Sequence, residues 1–154
     1  MLNKKSILLG IIILITVFFT TGCIFYNLLD SKEFKDQFTA VGYTVSDTET
    51  PKFDTGKTYL VASKSDVPFK VEYYEFETEV EAKKVYEKYK KAIVEYITSD
   101  SKNHETTGAV FAKTTADSEK EYLVISRVKN TLIFVAGTQD YKTEIDNLLK
   151  DIKY

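Results

Sequence analysis

The first 29 residues constrain this chain most, because they decide how much of it is left to fold. Lys4 and Lys5 precede an apolar run from Ile7 to Phe19, the small residues Thr20, Thr21 and Gly22 follow, and then comes Cys23, the only cysteine. Lysines of this kind stay on the cytoplasmic side while the apolar stretch enters the bilayer. A core of 13 residues is short for a spanning helix and typical of the apolar region of an export signal. From Ile7 to Leu29, however, there are 23 residues without a charge, enough for one uncleaved transmembrane helix with its N-terminus inside. Both readings leave the C-terminal portion outside the cytoplasm.

The segment Thr20-Thr21-Gly22-Cys23 behind its apolar run resembles the type II signal peptide of bacterial lipoproteins, a likeness confined to this end of the chain. The resemblance implies cleavage between Gly22 and Cys23 and a diacylglyceryl group on the Cys23 sulfur. One acyl chain binds a membrane only marginally, whereas two hold stably. The expected organisation is a signal peptide over 1–22, a lipid-attachment and juxtamembrane segment over 23–29, and an extracytoplasmic domain over 30–154. The expected location is the outer face of the cell membrane, with membrane lipid as the first partner.

The 131 residues after Cys23 suit one domain with a real core. Setting aside Lys4 and Lys5 leaves 19 basic against 23 acidic residues, with no basic stripe, so nucleic acid is not an expected partner. With Cys23 the sole cysteine, no intramolecular disulfide can form.

Periodicity places a short helix over Asp30–Val41, where Asp30 and Glu33 make a capping box and Gly42 a stop. A strand begins at Tyr43–Val45, and the polar Ser46–Lys57 reads as a loop. Strands Tyr59–Lys64 and Pro68–Glu77 follow, the second alternating Phe69, Val71 and Tyr73 against Lys70, Glu72 and Tyr74. The clearest element is the helix Glu79–Ile97: Thr78 and Glu81 cap it, and Ala82, Val85, Tyr86, Tyr89, Ile93 and Tyr96 form one apolar stripe. Thr98–Gly108 breaks the pattern. Strands Ala109–Thr114, Glu121–Val128 and Thr131–Gly137 come next, the last two apolar on both faces and therefore interior. Asp140–Ile152 closes the chain as a helix. The expected fold is α+β: an antiparallel sheet of five to six strands with two or three packed helices, in the order α-βββ-α-βββ-α. Tyr59–Lys64 echoes Tyr122–Arg127, and each is followed by a strand, a threonine (Thr78, Thr138) and a helix, which raises an internal duplication.

Chemistry is sparse. His104, the only histidine, falls in the expected loop and reads as a solvated residue, and one histidine with one acylated cysteine excludes a Cys/His metal site. Glu72, Glu75, Glu77, Glu79 and Glu81 form a carboxylate cluster of the oxygen-rich kind that Ca²⁺ takes, but Glu79 and Glu81 are already explained by the positive end of a helix. No Gly-rich phosphate loop, G-x-S-x-G elbow or S-x-x-K motif occurs, and no cofactor is expected. Tyr73 and Tyr74 point to opposite faces, so at least one of them is expected at the surface as a ligand-contacting aromatic. The leading expectation is a non-enzymatic lipoprotein that binds an envelope protein or a small ligand. The rivals are an envelope hydrolase working through carboxylates and a single-pass, membrane-anchored sensory accessory.

Overall fold

A computed structural model describes residues 28–47, 56–96 and 102–154. The leader, Gly22 and Cys23 lie outside the described residues, as do most of the expected Ser46–Lys57 loop and Ile97. Among the described residues three helices and one seven-stranded antiparallel sheet make an α+β fold. The elements are α1 (Ser31–Ala40), β1 (Thr44–Asp47), β2 (Gly56–Ser63), β3 (Lys70–Phe76), α2 (Glu79–Tyr96), β4 (Lys102–Thr107), β5 (Phe111–Asp117), β6 (Glu121–Val128), β7 (Thr131–Thr138) and, after a 3₁₀ turn at Gln139–Tyr141, α3 (Lys142–Asp151). Across the sheet the strands run β1-β2-β3-β7-β6-β5-β4.

Both capping boxes form. The Glu33 amide donates to Asp30 Oδ1 at 2.8 Å while the Asp30 amide donates to Glu33 Oε2 at 3.3 Å. Thr78 and Glu81 make the same reciprocal pair at 3.2 and 3.1 Å, so two orphan amides at each helix start are satisfied locally. At the other end of α1 the chain turns through Gly42 at φ +88°, and the Tyr43 amide returns to the Phe38 carbonyl at 3.0 Å. A glycine carries that left-handed angle without a Cβ clash.

Two cores flank the sheet. On one face α1 and α3 cover Leu60, Val71, Tyr73, Val124, Ile133 and Val135 with Phe34, Phe38, Ile145 and Leu149. On the other, α2 covers Tyr74, Phe76, Leu123, Ile125 and Leu132 with Ala82, Val85, Tyr86 and Ile93. β6 is buried from Tyr122 to Val128, as expected of an interior strand.

Three expectations need correction. The sheet has seven strands, not five or six, because Lys102–Thr107 within the expected break forms β4. All six of its residues are exposed, so it lacks the one-sided alternation that marks a strand in sequence. It exists because its backbone completes a ladder with β5, from Lys102 opposite Asp117 to Thr107 opposite Ala112. The order is therefore α-βββ-α-ββββ-α, and His104 stands on this edge strand rather than in a loop. Nor does the sequence echo extend to a repeated βββα unit. Apart from β4, the strand order is symmetric about the β3–β7 pair, yet Tyr59 faces the α2 core while its counterpart Tyr122 faces the α1/α3 core, and α2 and α3 lie on opposite faces.

Candidate functional site

The face of β5 turned away from α2 carries the polar groups of greatest chemical interest. Along β5 the small residues Ala112, Thr114 and Ala116 pack inward toward α2, where Thr114 Oγ1 and the Tyr86 hydroxyl share a 2.7 Å hydrogen bond. Alternation then sends Phe111, Lys113, Thr115 and Asp117 to the other side, where all four are half-buried. Next to them on β6 stand Tyr122, opposite Asp117, and Ser126, opposite Lys113.

α3 supplies the second wall. Its buried residues Ile145 and Leu149 fix its rotation, which brings Asp146, on the margin of that face, over β6. The Tyr122 hydroxyl donates to Asp146 Oδ1 at 2.6 Å. Lys142, one turn earlier, pairs with Asp117 and sets its ammonium 5.2 Å from the centre of the Tyr122 ring. Burial, then the bond to Asp146 and its charge, hold the Tyr122 hydroxyl protonated well above its ordinary range.

Lys113 is the odd member. Burial pushes its ammonium below the ordinary lysine value, and the Asp146 carboxylate only partly offsets this. Among the described residues Lys113 makes no ion pair. Beside it Ser126 is fully buried and its Oγ has no hydrogen-bond partner. Directly opposed residues on adjacent antiparallel strands bring their Cβ atoms within roughly 4.5–5.5 Å. The strip thus offers an under-solvated cation, flanked by two carboxylates already engaged, beside a buried hydroxyl that no partner uses. Chemically it is a donor surface for an anionic or strongly polar group.

The residues singled out from sequence lie elsewhere. Tyr73 and Tyr74 do face opposite sides, but both are fully buried, which overturns the expected exposure. Tyr73 stacks on Phe34 at 4.8 Å and donates to the Leu29 carbonyl at 2.8 Å. Tyr74 stacks on Tyr59 at 4.7 Å and donates to Glu72. Each ring is covered because a second element lies over each face of β3. The glutamates do not converge: Glu75 pairs with Lys57 at 3.8 Å, Glu79 with Arg127 at 3.1 Å, Glu81 closes the α2 cap and Glu77 is exposed. Among the described residues no three His, Cys, Asp or Glu side chains cluster to hold a metal ion. Likewise, among the described residues no helix is long and apolar enough to cross a membrane.

Sequence reasoning missed Lys113, Tyr122 and Asp146. The signal available was modest: Ala112-Lys113-Thr114-Thr115-Ala116-Asp117 puts a lysine and an aspartate on one side of a strand that neighbours an interior one.

No family model matches the chain, and no curated protein matches it either. A solved structure, that of a GTP binding regulator from Thermotoga maritima, is similar over 82% of this chain and 84% of that one, with a TM-score of 0.50 and 20% identity. At that identity the likeness is one of fold.

Proposed function

We propose that the chain is a lipid-tethered module on the extracytoplasmic face of the membrane that works by binding, and that the Lys113 strip is its contact surface for a carboxylate- or phosphate-bearing group on an envelope protein or small ligand. The observation that carries the binding role is Lys113 itself. An ammonium withdrawn from water without an ion-pair partner costs free energy that an apolar residue would not, and such perturbed groups concentrate at working sites. The neighbouring carboxylates serve other side chains, Asp117 that of Lys142 and Asp146 that of Tyr122. That allocation favours a binding surface over a pair of catalytic acids. Nothing in the fold likeness carries the neighbour's role across to this chain.

The tether rests on Cys23 and on how soon the fold begins after it. Leu29 is already buried, and its carbonyl is held by Tyr73. Leu28 is five residues beyond Cys23, a reach of at most about 18 Å. A domain so close to its anchor stays beside the lipid.

Two measurements test the two halves. Intact mass of the purified mature protein should show residues 1–22 removed and a diacylglyceryl group on Cys23; a chain beginning at Met1 with a free thiol refutes the tether. Titration with acetate and with inorganic phosphate should move the side-chain ¹⁵N resonance of Lys113, and a resonance indifferent to both refutes the binding surface.

A further inference from the structure

Leu28, Val80 and Val110 come from three distant stretches of sequence, and the fold gathers them at one end of the sheet. That end comprises the close of β3 at Phe76, the start of β5 at Phe111, the close of β6 at Val128 and the start of β7 at Thr131. Its connections are laced together. The Lys129 amide donates to the Val110 carbonyl at 2.7 Å, the Phe76 amide to the Asn130 carbonyl at 2.9 Å, and the Asn130 side chain to the Phe76 carbonyl at 2.9 Å.

The chain joins the fold at this same end. Lys35, midway along α1, pairs with Asp47, which stands opposite Leu60 at mid-sheet. α1 runs from there to Gly42 at the far end, so its first residues lie toward the near one, about 1.5 Å further per residue. Consistently, the Tyr73 hydroxyl that holds Leu29 lies within electrostatic reach of both Asp30 and Tyr154, and Tyr154 bonds Thr131 at 2.6 Å.

At this rim Leu28 is 41% exposed, Val80 63% and Val110 40%, large apolar surface on the connections rather than in the core. Lys129 and Lys153 stand exposed beside them. From Leu28, where the described chain begins, the opposite end of the molecule lies farther by the length of α1, about 15 Å. The near end can therefore meet the bilayer without the domain turning over on its short tether.

From this placement we infer that the end of the domain bearing Leu28, Val80 and Val110 is a lipid-contact face, with the three apolar side chains entering the interface and Lys129 and Lys153 at headgroup level. The inference rests on the reading of Cys23 as lipid-bearing. Asp30, Glu77 and Glu79 are exposed on the same rim, so apolar insertion rather than net charge is the main attraction.

The test uses the lipidated mature protein in phosphatidylglycerol–phosphatidylcholine vesicles. Its Cys23 sulfur is blocked by the lipid, so a single new cysteine can be labelled with a fluorophore at position 80, 110 or 94. Val94, exposed near the far end of α2, is the control. Quenching by nitroxide lipids should be at least about threefold greater for Val80→Cys and Val110→Cys than for Val94→Cys. Equal quenching at all three, or strongest quenching at 94, overturns the lipid face while leaving the tether standing. A blue shift at 80 and 110 without nitroxide quenching marks a protein cover and also overturns it. Failure of the protein to sediment with vesicles removes the tether, and the lipid face goes with it.

Discussion

Replacing Tyr73 with phenylalanine tests the joint between tether and fold. The substitution keeps the ring, fully buried and stacked on Phe34 at 4.8 Å, and removes only the hydroxyl that donates to the Leu29 carbonyl at 2.8 Å. Leu29 is itself buried, so water does not readily replace the lost donor. Stranding a buried acceptor costs about 1–3 kcal/mol. With an unfolding entropy of about 2.1 cal/mol/K per residue, a domain of this size loses roughly 4 °C of Tm per kcal/mol. Tyr73→Phe should therefore lower Tm by about 4–11 °C in a reversible calorimetric scan. Faster amide hydrogen exchange should appear first in α1, whose start Leu29 fixes. A Tm within about 1 °C of the parent, with α1 exchange unchanged, would refute the reasoning. The point where the chain joins the fold would then not be pinned, and the short reach from Cys23 would lose its basis.

Three more outcomes follow from the same physics. Lys113→Met should raise stability at neutral pH by urea unfolding. Burial lowers the folded-state lysine value below 10.5, so the cost of the buried charge is full at neutral pH and is relieved as pH rises toward 10.5; the gain should shrink over that window. In alkali the sign reverses for the tyrosines. Tyr43, held up to about 12 mainly by burial, and Tyr73, Tyr74, Tyr86, Tyr122 and Tyr154, all raised mainly by burial, keep their protons when folded and release them near 10 when unfolded. Stability is therefore lost as pH climbs past 10, and absorbance at 295 nm should show at least these six of the eleven tyrosines ionising only with unfolding. Glu79→Gln should destabilise by about 1–2 kcal/mol, because the buried Arg127 guanidinium loses its counter-charge and keeps only neutral acceptors, the glutamine oxygen and the Lys129 carbonyl at 3.0 Å, while the half-exposed position of Glu79 limits the loss. Chemical denaturation of Glu79→Gln against the parent measures it.

The elements readable in the sequence were those written by near neighbours. Asp30 with Glu33 and Thr78 with Glu81 announce α1 and α2, because a cap is made by residues three apart and needs nothing else from the chain. β6 and β7 declare themselves through apolar residues on both faces, since only an interior strand can bury such a run. What lay out of reach depended on residues far along the chain. β4 has no hydrophobic pattern to read, being exposed on both faces and held by the β5 backbone. Alternation sends Tyr73 and Tyr74 to opposite sides, but whether each side is covered was decided by α1 over one and α2 over the other. Lys113, Tyr122 and Asp146 meet because α3 lands where Ile145 and Leu149 can bury themselves. Local hydrogen bonds fix the elements, and the competition to cover apolar surface, settled only when the whole sheet is assembled, fixes which polar groups are left to face one another.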